Sequence, residues 1–159
     1  RKYVNVEGPN EEHKGDMRSV VSKAYKQIKD SQRMSLFKSH RPEYRDGEQK
    51  RDFLYIKDAV NMTLWLTENP AATGLFNLGN GLARTWLDLG NSIFAALKLN
   101  AQIDFVEMPE ILRDKYQYFT QATIEKLRSQ GFDHNLFSLE DAVHDYIRNY
   151  LMPDLRLGS

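Results

Sequence analysis

Short apolar runs alternate along this chain with longer stretches whose apolar residues recur every three or four positions, and this alternation restricts it to an α/β architecture. Residues 53–56 read as a strand. Asp58 is then placed to cap a helix that carries Val60, Leu64 and Trp65 and stops before Pro70. Residues 75–78 form the next strand, Gly79, Asn80 and Gly81 a turn, and Thr85 the N-cap of a helix with the stripe Trp86, Leu89, Ile93, Ala96 and Leu97.

The flanking segments follow the same logic. Residues 3–6 are strand-like and end at Gly8 and Pro9; Asp16 then caps a helix with Met17, Val20, Val21, Ala24 and Ile28 on one face. Residues 34–37 predict a strand, and the polar stretch 38–50, with Pro42, Asp46 and Gly47, has the length of a lid or binding loop. A strand over 103–108 ends at Pro109, and a short helix over 122–129 stops at Gly131. The final helix has Ser138 and Asp141 as a capping pair and an apolar face of Leu139, Ala142, Val143, Tyr146, Ile147, Tyr150 and Leu151. Leu157, Gly158 and Ser159 read as a frayed end or an expression scar.

At 159 residues, 41% hydrophobic and 28% charged, the chain has the balance of one globular domain. Lys plus Arg and Asp plus Glu both number 22, so no global field draws it to nucleic acid or an anionic membrane, and any anion must be bound locally. Cysteine is absent, which excludes thiol catalysis and thiolate metal sites. His134 and His144 lack metal-ligand spacing, so no metal is expected. No apolar run has spanning length, and a cytoplasmic location is the expectation. The chain opens on Arg1 directly in a strand-like run, so it is expected to be a portion of a longer protein.

Several groups have the chemistry of a site, each with a plainer alternative. Asn5, Val6, Glu7, Gly8, Pro9 and Asn10 place polar groups at a strand end, where α/β sheets form ligand crevices; equally, Asn before Gly-Pro serves a turn. Lys14 precedes a helix N-terminus and suits an anion or a proton transfer, or else is a solvated loop residue beside His13. Lys38, His40, Arg41, Arg45, Lys50 and Arg51 make the long loop cationic, and Arg51 is the best candidate for forked binding of a diphosphate. Tyr116, Tyr118 and Phe119 either stack on a base or sugar or pack under the last helix. The Gly79 to Gly81 triplet does not complete a dinucleotide fingerprint.

The run Tyr3, Val4, Asn5, Val6, Glu7, Gly8, Pro9, Asn10, Glu11, Glu12, His13, Lys14, Gly15 resembles the ADP-L-glycero-D-manno-heptose 6-epimerases, extended short-chain dehydrogenases in which His-Lys-Gly is the specific element. The likeness continues through residues 17–21, 37–42, 46–53, 55–58, 76–79 and 116–122. It implies an NADP-dependent epimerisation at carbon 6 of a heptose, serving lipopolysaccharide core synthesis, in a homo-oligomer that is typically a pentamer. It also implies that the glycine-rich fingerprint and the Tyr-x-x-x-Lys pair lie in an N-terminal part preceding the matched residues. The whole of 1–159 would then be the C-terminal substrate-binding region, inactive alone, with residues 1–9 and 53–99 completing the Rossmann sheet. By the same resemblance Lys14 is the second acid/base, and Val6 and Lys14 face the nicotinamide. Asn5, Asp16, Lys23, Phe37, Lys38, Ser39, His40, Arg51 and Tyr116 would face the ADP-heptose or a related nucleotide-sugar. Other readings are a fragment of a UDP- or dTDP-sugar epimerase or dehydratase, and a non-catalytic nucleotide-sugar-binding module. Three positions depart from the pattern: Glu7 replaces an aromatic residue, Lys23 a common histidine, and Lys38, Ser39 and His40 a Glu-Gly-Ser.

Overall fold

The alternation of strands and helices is present; residues 34–37 form a strand as expected, and the other expected strands are shorter than their sequence runs. The structure, a computed structural model, describes residues 1–155, without the side chain of Asp16. Leu157, Gly158 and Ser159 lie outside the described residues. Strands β1 (Lys2–Tyr3) and β2 (Val6–Glu7) lead through a 3-10 turn (Glu12–Met17) to helix α1 (Val20–Ser31) and strand β3 (Met34–Phe37). After the long loop come β4 (Lys50–Asp52), β5 (Leu54–Tyr55), α2 (Ile56–Glu68), β6 (Asn77–Leu78), β7 (Ala83–Thr85) and α3 (Trp86–Leu97). Next are β8 (Ile103–Val106), α4 (Glu110–Arg113), α5 (Glu125–Ser129) and α6 (Leu139–Tyr146), which a π-helical turn (Ile147–Leu151) extends.

The run 3–6 is not one strand, because Asn5 takes φ +36°, a left-handed conformation that asparagine tolerates. The chain changes partner at that kink: β1 pairs in parallel with β6, and β2 in parallel with β5. β3 pairs in parallel with β8, while β4 and β7 are antiparallel. Leu54 and Tyr55 therefore lie beside Val6 and Glu7.

Two expected caps move. Ser19, not Asp16, caps α1 and accepts the Ser22 N–H, because Gly15 (φ +54°) breaks the preceding turn away from the helix; Met17 is left 86% exposed and outside the apolar stripe. Asp58 sits inside the first turn of α2, whose N-cap is Tyr55, and its buried carboxyl accepts the distant Phe137 N–H at 2.9 Å. The buried face of α2 is Ala59, Met62 and Leu66, while Val60 and Leu64 are exposed. Thr85 caps α3 as expected, in a capping box with Asp88, and Ser138 caps α6. The helix expected over 122–129 begins only at Glu125, because the backbone N–H of buried Ala122 is turned to Asp52 (2.9 Å).

Successive residues of an extended segment face opposite ways, and the stretch through β5 uses this to join two cores. Phe53 and Tyr55 enter a cluster built by α1, β3, α3 and α6, with Val21, Ile28, Met34, Ile93 and Val143 at its centre. Leu54 enters a second cluster of Met62, Phe76, Leu78, Leu127 and Phe132.

Candidate functional site

The turn after β2 is built on a glycine. Gly8 has φ +150°, and a Cβ there would lie 2.2 Å from Ile56 Cγ2, so the chain passes too close to α2 for any other residue. Glu11 follows, 3% exposed. Its carboxyl accepts the Ser19 N–H (2.7 Å), the Ser19 hydroxyl and the Tyr146 hydroxyl (2.8 Å). Burial, reinforced by Glu11, pushes the Tyr146 hydroxyl far above the ordinary tyrosine range. The 3-10 turn bearing His13 and Lys14 is thus clasped to the first turn of α1 and to α6. Glu11→Ala would strand these buried donors, and chemical denaturation should show a loss of about 2–4 kcal/mol.

Beside this clasp lies a cavity of about 260 Å³, walled by Asn5, Val6, Glu7, Ser19, Phe53 and Trp86 among others. Glu7 is 4% exposed, and its carboxyl is pushed up to about 8, first by burial and then by the neighbouring Glu11. A second cavity of about 290 Å³ is lined by Val20, Phe37, Trp86 and Tyr116, and a third of about 230 Å³ by Arg51, Lys115 and Tyr116. Val20 and Trp86 wall both the first and the second, and Tyr116 both the second and the third, so the three adjoin as one trough.

Arg51 ends this trough. It is 8% exposed, and its guanidinium lies 5.1 Å from the Tyr116 ring and 5.7 Å from the Trp86 ring. Trp86 Nε1 donates to the Tyr116 hydroxyl (2.9 Å), which holds the two rings in place. Arg51 donates to the Lys50 carbonyl (2.8 Å), and it forms no ion pair among the described residues. Burial lowers its pKa. A buried guanidinium without a carboxylate has the chemistry to bind an anion.

The structure brings Asn5, Val6, Phe37, Arg51 and Tyr116 to the trough walls. Lys14 and Lys23 are exposed and outside those linings, and the side chain of Asp16 lies outside the described residues. Lys38, Ser39 and His40 are engaged within the protein. The Lys38 ammonium meets Glu107 (2.8 Å), which holds its pKa above the ordinary lysine value, and His40 Nε2 lies 3.5 Å from the same carboxyl. Ser39 donates its backbone N–H to Asp46 (2.7 Å), and the His40 N–H goes to Tyr118 (2.9 Å). Glu107, just beyond β8, thereby offsets part of the loop's positive charge.

Trp86 was legible only as one residue of a core stripe. As the first residue of a capped helix it is left partly exposed, and it walls the first two cavities. Tyr116 is partly buried, Tyr118 buried and Phe119 exposed, so that segment divides between trough, core and surface. The Gly79 to Gly81 turn has no space for a phosphate. The Asn80 and Gly81 N–H groups already donate to Asp52 (2.7 and 2.9 Å), and Ala122 and Ile124 crowd the two glycines. Tyr25 and Lys29 have the Tyr-x-x-x-Lys spacing on α1, but neither lines the trough. Among the described residues no group of three or more acidic or histidine side chains could hold a metal, and no helix is long and apolar enough to cross a membrane.

Residues 2–79 match the NAD dependent epimerase/dehydratase family. The ADP-L-glycero-D-manno-heptose-6-epimerase of Nitratidesulfovibrio vulgaris is 52% identical over 150 residues, which are 94% of this chain and 46% of that protein. The enzyme of the same name from Fusobacterium nucleatum is 43% identical over 156 residues, 94% of this chain and 47% of that protein. The chain thus spans about half the length of the curated relatives it matches. The solved ADP-L-glycero-D-manno-heptose-6-epimerase of Helicobacter pylori superposes with a TM-score of 0.74 at 25% identity, covering 92% of this chain and 42% of that one. A UDP-N-acetylglucosamine 4-epimerase from Methanobrevibacter ruminantium shares the fold, with a TM-score of 0.77, 19% identity and coverage of 96% and 45%.

Proposed function

Because the chain belongs to the NAD dependent epimerase/dehydratase family, we propose that it is the substrate-binding portion of an ADP-L-glycero-D-manno-heptose 6-epimerase. The observation that carries this reading is Arg51, a buried guanidinium without a carboxylate, at the end of a trough walled by Phe37, Trp86 and Tyr116. A nucleotide-sugar offers what these groups bind: a diphosphate for the cation and flat or apolar faces for the rings.

In this reading Asn5 and Phe37 face substrate, joined by Asp16, Lys23 and the loop through Lys38, Ser39 and His40. Lys14 supplies one acid/base, on a turn clasped by Glu11. A nicotinamide cofactor supplies the redox step when bound. Val6, a partly buried apolar residue at the trough, and Lys14 are the residues of this chain that would line its nicotinamide side. The filled Gly79 to Gly81 turn leaves the cofactor phosphates to residues elsewhere in the protein. NADP as the cofactor, a homo-oligomer, a role in lipopolysaccharide core synthesis and a cytoplasmic location belong to the same proposal. So does the assignment of residues 1–9 and 53–99 to a Rossmann sheet. The parallel β1–β6 and β2–β5 pairs support it, with an apolar groove of Tyr3, Val60 and Leu64 beside them.

Thermal-shift titration of the full-length protein tests the substrate class. ADP-heptose should raise the melting temperature more than UDP-sugars do, and the reverse order would replace this reading with a UDP-sugar epimerase. Substitution separates the roles. Lys14→Ala should lower kcat by about 10²–10⁴-fold with little change in nucleotide binding. Arg51→Ala should weaken binding by about tenfold or more, as a lost charged hydrogen bond does. Equal loss of binding and turnover in both variants would defeat the assignment.

A further inference from the structure

We propose that the Glu7 carboxyl binds ligand in the cavity between β2 and α1, exchanging hydrogen bonds with a sugar hydroxyl of the nucleotide-sugar; this rests on the trough being a nucleotide-sugar site.

Glu7 is 4% exposed and lines the 260 Å³ cavity, yet its side chain has no hydrogen-bond or ion-pair partner among the described residues. The acceptors and hydroxyls beside it are committed elsewhere. Glu11, on the following turn, is taken up by Ser19 and Tyr146. Tyr55, its neighbour across the β2–β5 pair, donates its hydroxyl to Asp145 (2.6 Å), which also takes the Lys57 ammonium (2.6 Å). Arg18, which lines the same cavity, gives its Nε–H to the Gly15 carbonyl (2.9 Å). Glu7 thus borders the cavity without a side-chain partner of its own among the described residues.

Burial and Glu11 keep this carboxyl protonated at neutral pH. In that form it both donates and accepts, which matches a hydroxyl, itself donor and acceptor. The nearby Glu11 carboxyl disfavours an anion here, whereas Arg51 provides for one elsewhere in the trough. Sugar and diphosphate are therefore assigned to different parts of the trough.

The test compares the affinities of the full-length wild type, Glu7→Gln and Glu7→Leu for ADP-heptose and for ADP by calorimetry. Glu7→Leu should bind ADP-heptose about tenfold more weakly while its ADP affinity stays within about twofold, since only the sugar contact is lost. Glu7→Gln, whose amide still donates and accepts, should keep ADP-heptose affinity within about threefold of wild type. Unchanged ADP-heptose affinity in Glu7→Leu, or parallel losses for ADP and ADP-heptose in both variants, overturns the proposal and leaves the substrate reading intact. A wild type that binds neither ligand overturns the substrate reading itself.

Discussion

Asp52→Ala is expected to lower the unfolding free energy of the chain by about 3–5 kcal/mol, since three backbone donors lose their acceptor at a cost of about 1–3 kcal/mol each where they are buried. Asp52 is fully buried and accepts three backbone N–H groups: Asn80 at 2.7 Å, Gly81 at 2.9 Å and Ala122 at 2.9 Å. One carboxyl thus ties the end of β4 to the turn after β6 and to the segment entering α5. Alanine leaves the buried Ala122 N–H and the half-buried Asn80 and Gly81 N–H groups without an acceptor. Asp52→Asn should also destabilise, because an amide NH₂ turned toward an N–H cannot accept it. Urea unfolding checks this as a fall in midpoint without a change in slope. Asp114→Ala, at an exposed position, serves as the control and should stay within about 0.5 kcal/mol of wild type.

The second large effect depends on pH and belongs to Glu7. Its carboxyl ionises near 8 in the folded chain against an ordinary value of 4.5, so between those values the folded state holds a proton that the unfolded state has released. Stability therefore falls as pH rises from about 4.5 to about 8. Glu7→Gln removes this titration and keeps the shape. The variant should gain on the wild type progressively through that window, with an advantage on the order of 4–5 kcal/mol at its upper end. Unfolding curves at pH 5, 6.5 and 8 (about equal steps through the range where the linkage acts) read the effect directly, and parallel stability profiles for the two proteins would refute it. Glu11 and Tyr55 face the same carboxyl, and both are retained in the variant.

The α/β class and the capped helices α3 and α6 were legible in sequence because each depends on local spacing or residue chemistry. Arg51 stood out by its chemistry, whereas Phe37 became a candidate only through the family resemblance. What was not legible depends on long-range partners. Asp58 looked like a helix cap because caps are local, but its carboxyl is used 79 residues away at Phe137. Asn5 sits within an apolar run that reads as one strand, and only the switch from β6 to β5 explains the kink. The cationic loop looked like one anion site until Glu107, distant in sequence, paired with Lys38. Glu7 stood out as a departure from a family pattern, and its burial beside Glu11 explains its chemistry.

The chain has two tryptophans, and each stands at a different core. Trp65 packs edge-on to Phe132 at 5.7 Å beside the cluster of α2. Trp86 packs against Phe53 at 5.2 Å beside the cluster of α1, α3 and α6, and also walls the trough. Intrinsic fluorescence is therefore divided between two reporters, one at each hydrophobic cluster. A ligand in the trough should act on the Trp86 emission, whereas cooperative melting of both cores should change the two signals together. Binding and unfolding can be followed in the same cuvette without an added dye.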